Sequence, residues 1–458
     1  MSLDVRGVTT IVEPTVGVGS FIHAAPDCAM RARWYAYDIN SEYVSVARQQ
    51  AADRGVSEIV TRTLSAFDLA PADFPDVGSG SVVLVIGNPP WVTNAAQGFH
   101  RSGNVPGKTN RFRLTGLDAL TGKSNFDIAE AVLHAVLSAL RNAGEIRVAL
   151  LLKRSVALKI ARDFMSQPGT KSLKFSNIDA RQWFGAAVES GLFEMTLQPR
   201  SPASTAVISL RQRIGASHDQ TAGLIDGKFV TDIDAYGLAG HVEAEAGAGL
   251  MWRQGIKHDA ARILELHESD VGLTNGLGER VDVEREVLCP LYKSSDIAGG
   301  RQARRLFPLY QLDLSGPAFE LASRWPKLAL YLENHRDVLD ARKSRIYARK
   351  PPFMLFGVGP YTSAPFKVAV SGLYKMPHFS VIGPSEHGAP PLVDDTCYLL
   401  PCKTSDEAVE LAEYLNGADV QSFLMSIVDF TAKRPYTADV LRRIKAPGER
   451  VEPPARLF

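Results

Sequence analysis

Short apolar runs alternate with helix-period patterns over the first 155 residues, and this constrains the chain more than any other feature. Strands separated by helices form a parallel sheet, since each crossover returns the chain to start its next strand in the same direction. The runs at 9–12, 34–37, 82–86 and 146–152 read as strands. Residues 41–52 read as a helix capped by Asn40 or Ser41. Across 126–140 the apolar residues Ile128, Val132, Leu133, Val136, Leu137 and Leu140 recur at helical spacing. The stretch 93–122 is rich in Gly, Asn, Thr and Arg, lacks periodicity and directly follows a strand, so a long functional loop is expected there. Strand-like runs continue at 192–197 and 205–210, and polar, Gly-rich sequence follows from 213 to 249. The predicted fold class is α/β, with a first domain over 1–215, a linker or irregular region over 216–250 and a second, α+β domain over 251–458. Helical segments are expected in that second domain at 317–333 and 406–416.

Composition agrees with two domains. The 458 residues exceed one ordinary domain, and 45% hydrophobic with 22% charged residues excludes disordered and collagen-like chains. No apolar run reaches the ~18 residues of a membrane span, and the first ten residues lack a basic-then-apolar signal pattern. A cytoplasmic protein without a membrane partner is expected. Cys28, Cys289, Cys397 and Cys402 match no zinc or disulfide spacing and read as buried or free thiols, and no metal site is expected. Charge is uneven: residues 1–100 carry 6 Lys/Arg against 10 Asp/Glu, whereas 291–350 carry 12 against 6. A polyanion would be held by the later segment, because Lys and Arg neutralise phosphates; a merely solvated charged face is the alternative.

The first strand runs into Glu13-Pro14-Thr15-Val16-Gly17-Val18-Gly19-Ser20-Phe21. Glycine lacks the Cβ that would keep a ligand off the backbone, so a glycine loop between strand and helix suits close approach. The third glycine of a dinucleotide fingerprint is missing. The second strand ends at Asp38-Ile39, where a carboxylate can accept hydrogen bonds from ribose hydroxyls. Loop and carboxylate together suggest a nucleoside ligand. Walker-type loops fail on spacing, since Gly107-Lys108-Thr109 would need glycine at Ser102 and Gly122-Lys123-Ser124 at Leu117. The third strand noted runs into Gly87-Asn88-Pro89-Pro90-Trp91, a rigid turn at the carboxyl end of the sheet, where open α/β folds bind ligands. There an amide and an adjacent carbonyl can both accept hydrogen bonds from an exocyclic amine while the indole offers a stacking face. An Asn-Pro turn with a core Trp is the plainer alternative.

With these motifs the chain resembles the γ-type adenine-N6 DNA methyltransferases of restriction-modification systems, the TaqI-type family, which use S-adenosyl-L-methionine. The resemblance implies a Rossmann-like catalytic domain followed by a target-recognition domain. It places Glu13, Pro14, Gly17, Gly19 and Phe21 in the cofactor loop, Asp38 and Ile39 at the ribose, and Asp68 and Leu69, within Ser65-Ala66-Phe67-Asp68-Leu69, beside the cofactor adenine. Asn88 and the Pro89 carbonyl would hold the target amine, with Pro90 stiffening the turn and Trp91 stacking on the flipped base. Phe184, in Trp183-Phe184-Gly185-Ala186-Ala187-Val188, would be a second stacking aromatic.

The resemblance continues beyond residue 250, through Trp252-Arg253-Gln254-Gly255-Ile256-Lys257, Pro290-Leu291-Tyr292-Lys293, Phe356-Gly357-Val358-Gly359 and Asp394-Asp395-Thr396-Cys397-Tyr398. It implies double-stranded DNA as substrate, with Lys293, Arg342, Lys343, Arg345, Arg349 and Lys350 as candidate DNA contacts and a cognate restriction endonuclease or second subunit as partner. In the γ group a further motif precedes the glycine loop and covers the methionine moiety. With the loop starting at residue 13, completion of that wall by another polypeptide or a second copy of this chain is expected, a truncated start or a more open, weakly binding pocket being the alternatives. Competing readings are a glutamine-N5 protein methyltransferase, an RNA methyltransferase and a DNA-binding subunit idle without its partner.

Overall fold

The computed structural model describes residues 5–91, 127–179, 181, 182, 185, 189–202, 204–212, 219–270, 272–312, 321–430 and 432–448. The chain divides into two compact units, Met1–Ile233 and Asp234–Phe458.

Unit 1 is built on a ten-stranded sheet. Its elements are β1 (Thr10–Glu13), α1 (Ser20–Ala24), β2 (Arg33–Asp38), α2 (Ser41–Asp53), β3 (Glu58–Thr63), β4 (Val82–Gly87), α3 (Ile128–Ala139), β5 (Glu145–Lys153), α4 (Arg154–Phe164), β6 (Thr170–Ile178), β7 (Ser190–Leu197), β8 (Val207–Arg211), β9 (Asp219–Ile225) and β10 (Lys228–Val230). The strand order is β10-β9-β8-β6-β7-β5-β4-β1-β2-β3. Strands β1 to β5 run parallel, and β7 lies antiparallel between β5 and β6. Leaving β1 the chain goes one way to β2 and β3, then returns to β4 on the other side, so the direction of winding reverses between β1 and β4.

The apolar runs arise because both faces of these strands are covered. Val83 and Val85 join the core with Leu133 and Val136 of α3, while Leu84 and Ile86 of the same strand pack with Ile22 and Ala47 of α1 and α2. The side chain of Asn40 caps α2 by accepting from Glu42 N (2.9 Å), and Asp127 caps α3 by accepting from Ala129 N (3.2 Å).

The boundary expected near residue 215 lies instead after Ile233. Within 216–250, expected as a linker, β9 pairs with β8 and then turns into β10, extending the sheet. Polar composition misled here because edge strands present half their residues to water and need few apolar ones.

Helix α5 (Ile233–Ala239) straddles the division. Unit 2 then carries β11 (Arg253–Gln254), β12 (Leu288–Tyr292), β13 (Arg305–Pro308), α6 (Pro326–Asn334), β14 (Phe366–Ser371), β15 (Ser380–Ile382), β16 (Leu392–Val393), β17 (Cys397–Cys402), α7 (Ser405–Asn416) and α8 (Ala418–Ile427). One sheet has the order β11-β17-β14-β15, another β13-β12-β16. Leu291, Phe307, Leu328, Leu332 and Leu355 sit in its main core. The helix expected over 317–333 is interrupted at Trp325 within its described part, since a residue preceding proline is driven out of the helical region and Pro326 opens a new helix. Residues 317–320 lie outside the described residues. All four cysteines are free; Cys28 is exposed and the others are buried.

Candidate active site

The two sequence motifs meet at the carboxyl end of adjacent strands. A Cβ placed on Gly87, at the end of β4, would lie 3.7 Å from Thr15 Oγ1 and 3.9 Å from Pro14 Cδ, so the Gly-Asn-Pro-Pro turn and the loop after β1 are immediate neighbours. Both stand where the winding reverses. The loop is tied down by Val16 N donating to Tyr37 O (2.8 Å) and by Gly17 N donating to Asp38 Oδ2 (3.0 Å). Asp38 also accepts from Asn40 N through Oδ1 (2.9 Å). Its carboxylate therefore shapes the loop.

The two loop glycines serve different ends. Gly17, at φ +53, has nothing within 4 Å of its missing Cβ and leaves the backbone open. Gly19, at φ +82, would bring a Cβ to 3.1 Å from Ala47 Cα, so it lets α1 pack on α2. Pro14 is buried and Phe21 half-buried against the core. Ile39 stands 58% exposed beside Asp38, an apolar face presented at the strand end. Asp68 ends a short helical turn (Ala66–Asp68) and is exposed, whereas Leu69 is buried.

Glu13 is 1% exposed, and burial, with Asp38 nearby, pushes its carboxyl well above the usual range. Its Oε2 is buried with no hydrogen-bond partner among the described residues, as is Thr15 Oγ1. Two unanswered polar atoms, an open glycine backbone and an apolar flank beside a carboxylate fit a ligand carrying both donors and a planar ring. On the target side Asn88 is exposed and Pro89 buried. Trp91 is half-buried, and its indole N–H donates to Leu151 O (3.1 Å), which fixes the ring to β5. Phe184 and the stretch 93–122 lie outside the described residues. Sequence reasoning passed over Thr15 and the Asp127–Lys153 pair (2.9 Å) that joins the α3 cap to the end of β5. Thr15 could have been read from its place inside the loop; the pair is visible only once the strands are assembled.

No protein-family model matches the chain. It is 34% identical over 447 residues, 95% of this chain and 90% of the relative, to the type II methyltransferase M.NspV of Nostoc sp.. The chain belongs to the type II methyltransferases. Two solved structures each overlap this methyltransferase over less than half its length. An rRNA methylase from Streptococcus thermophilus is 12% identical, covering 42% of this chain and 87% of its own, with a TM-score of 0.26. A modification subunit assigned to a type I restriction enzyme of Vibrio vulnificus is 9% identical, covering 44% and 42%, with a TM-score of 0.28.

In unit 2 of the methyltransferase the basic residues divide into two groups. Lys293 is spent internally, its Nζ lying 2.5 Å from Glu265 Oε1 and 3.1 Å from Asp394 Oδ2. Arg342 donates to the carbonyls of Leu339, His258 and Met354, and its guanidinium lies 3.8 Å from the Tyr347 ring centre. Lys343, Arg349 and Lys350 are exposed, and Arg345 belongs to the short turn Arg345–Tyr347. Elsewhere, in unit 1, Glu130, His134 and Asp163 bring ligating atoms within 4.8 Å of one another, but the Lys159 ammonium, 2.8 Å from Glu130, already supplies the countercharge. Among the described residues no helix is long and apolar enough to cross a membrane.

Proposed function

We propose that this methyltransferase modifies DNA in a restriction-modification system, transferring a methyl group to N6 of adenine in double-stranded DNA. The observation that carries the reading is the contact between the Gly87-Asn88-Pro89-Pro90-Trp91 turn and the Pro14-Thr15 loop at the reversal point of the sheet. S-adenosylmethionine is the methyl donor, and when bound it supplies an electrophilic methyl on a sulfonium. The loop from Glu13 to Phe21, with Asp38, Ile39, Asp68 and Leu69, holds the adenosyl part. Gly17 admits the ligand to the backbone and Asp38 accepts from ribose hydroxyls.

The target base must leave the duplex, because its amine is otherwise engaged in pairing and stacking. Trp91, fixed through Leu151, offers the extruded ring a rigid stacking face, and Phe184 is the candidate second aromatic. Asn88 Oδ1 and the Pro89 carbonyl accept hydrogen bonds from the N6 amine, which favours a tetrahedral nitrogen whose lone pair leaves ring conjugation and turns toward the methyl. The bound donor would supply the methyl to that nitrogen, whose surplus proton would pass to water. Extrusion costs a few kcal/mol, and base stacking returns about 1–3 kcal/mol, so phosphate contacts from unit 2 supply the remainder. Lys343, Arg345, Arg349 and Lys350 are the candidates for these contacts. A cognate nuclease, or a second chain, is the expected partner.

Incubation with duplex DNA and labelled donor, followed by nucleoside mass spectrometry, tests the reading. N6-methyladenine is expected. N4-methylcytosine alone, or label only in RNA or protein, overturns it.

A further inference from the structure

Unit 2 exposes four consecutive residues, Leu373-Tyr374-Lys375-Met376, just beyond the end of β14. Leu373 is 36%, Tyr374 45% and Met376 67% exposed, an unusual concentration of apolar surface in so short a loop. The loop is firmly held at its base. Gly372 N donates to Thr396 O (2.9 Å), Leu373 N to Ser371 Oγ (3.2 Å), and the Tyr436 hydroxyl to Lys375 O (2.8 Å). Pro377 is buried, and Phe379 is clamped by Asn416, which accepts from its N–H and donates to its carbonyl.

Cations also meet the turn Asp394–Thr396, on which the loop rests through Gly372. Arg434, beyond the end of α8, donates to Asp395 O (2.9 Å), and Lys433 beside it is exposed. Lys257 Nζ lies 3.7 Å from Asp395 Oδ2, and its backbone pairs with Phe356, whose ring meets Tyr347 at 5.4 Å. These contacts link the basic segment Arg342–Lys350 to the turn Asp394–Thr396 on which Gly372 rests. The nearby carboxylates are answered locally, Asp259 by Lys257 and Asp395 by Lys257 and Arg434. Lys343, Arg349, Lys350, Lys375 and Lys433 are left exposed.

We propose that Leu373–Met376 is a DNA-reading wedge, with Tyr374 and Met376 entering a groove or an opened base step while Lys375 and Lys433 hold the flanking phosphates. This rests on the reading that the substrate is duplex DNA. A loop anchored at its base, with an apolar tip that carries Lys375 and rests on a turn met by Lys257 and Arg434, suits that task, since partial unstacking needs an apolar insert and a duplex must be held by its phosphates while it deforms. A protein partner would be met by the same apolar tip but has no need of these cations.

The test compares the full-length wild type, Tyr374→Ser/Met376→Ser and Lys375→Ala by fluorescence anisotropy on duplex DNA over a range of salt concentrations. Methylation of the same duplex and equilibrium binding of S-adenosylmethionine are measured alongside. The double variant should bind the duplex about ten-fold more weakly with an unchanged salt slope, as loss of a base-step contact requires. Lys375→Ala should lower the slope by about one. Donor binding should stay at the wild-type value in both. A double variant that binds and methylates duplex DNA as the wild type does overturns the wedge and leaves the DNA reading standing. A wild type that neither binds nor methylates duplex DNA overturns both.

Discussion

Asp38 anchors Gly17 N and Asn40 N, and in the proposed reading it also accepts from the donor's ribose, while Asn88 serves the target amine. Asp38→Ala should weaken donor binding by about 1–3 kcal/mol, the range for hydrogen bonds to a charged group. Asn88→Ala, at the far side of the transferring methyl, should leave that affinity unchanged and abolish turnover. Titration calorimetry beside a methylation assay checks both, and equal losses of donor affinity would refute the division of labour. What was legible in the sequence is their position: a carboxylate and an amide followed by prolines, each at a strand end, which the structure brings to neighbouring loops. Lys293 and Arg342 were not, since a sequence displays a charge but hides its partner. Glu265 and the carbonyls of His258 and Met354 became visible only when separate segments packed together.

The elements around the site depend on a few local decisions. Gly19 holds a left-handed conformation with Ala47 against it, so Gly19→Ala combines backbone strain of roughly 1–2 kcal/mol with a clash. A lower melting temperature and weaker donor binding should appear together. In unit 2, Glu265 is buried, which alone would raise its carboxyl. Hydrogen bonds from His258 and Lys293 overcome this and hold it at about 2, below the ordinary 4.5. Its share of stability is therefore complete above about pH 4.5 and disappears as pH falls toward about 2. Urea unfolding across that window should show the decline, and Glu265→Gln should flatten it. Strands β1, β2, β4 and β5 and the capped helix α2 were readable because both-face burial and capping leave strong local patterns. The edge strands β3 and β10, and β9 beside the latter, leave weak ones, and the break at Trp325 came from a single proline inside an otherwise helical period.

At the scale of the whole molecule, each unit has its own core. A donor analogue held by unit 1 should protect that unit selectively. At about 100 times its Kd it should add roughly 2.7 kcal/mol to the stability of the unit that binds it. Hydrogen exchange should slow over 13–21, 38–40 and 65–69 and stay unchanged over 366–402. Protection confined to the second stretch would place the donor in unit 2. Two domains were legible from length and composition, but their seam was not, because the polar edge of a sheet and a linker share the same residue types.

The hairpin of β9 and β10 also decides how such a protein can be recombined. At present Leu224 N donates to Ala206 O, and Val207 pairs with Gly223. A gene fusion joined at residue 215 would strip these partners and leave β8 as a bare edge, ready to capture a strand from another chain. A junction at Thr231 or Asp232, between β10 and α5, keeps the hairpin with its own sheet. Hybrids spliced there would carry unit 1 with its sheet intact into each new combination, so that unit 2 alone is exchanged.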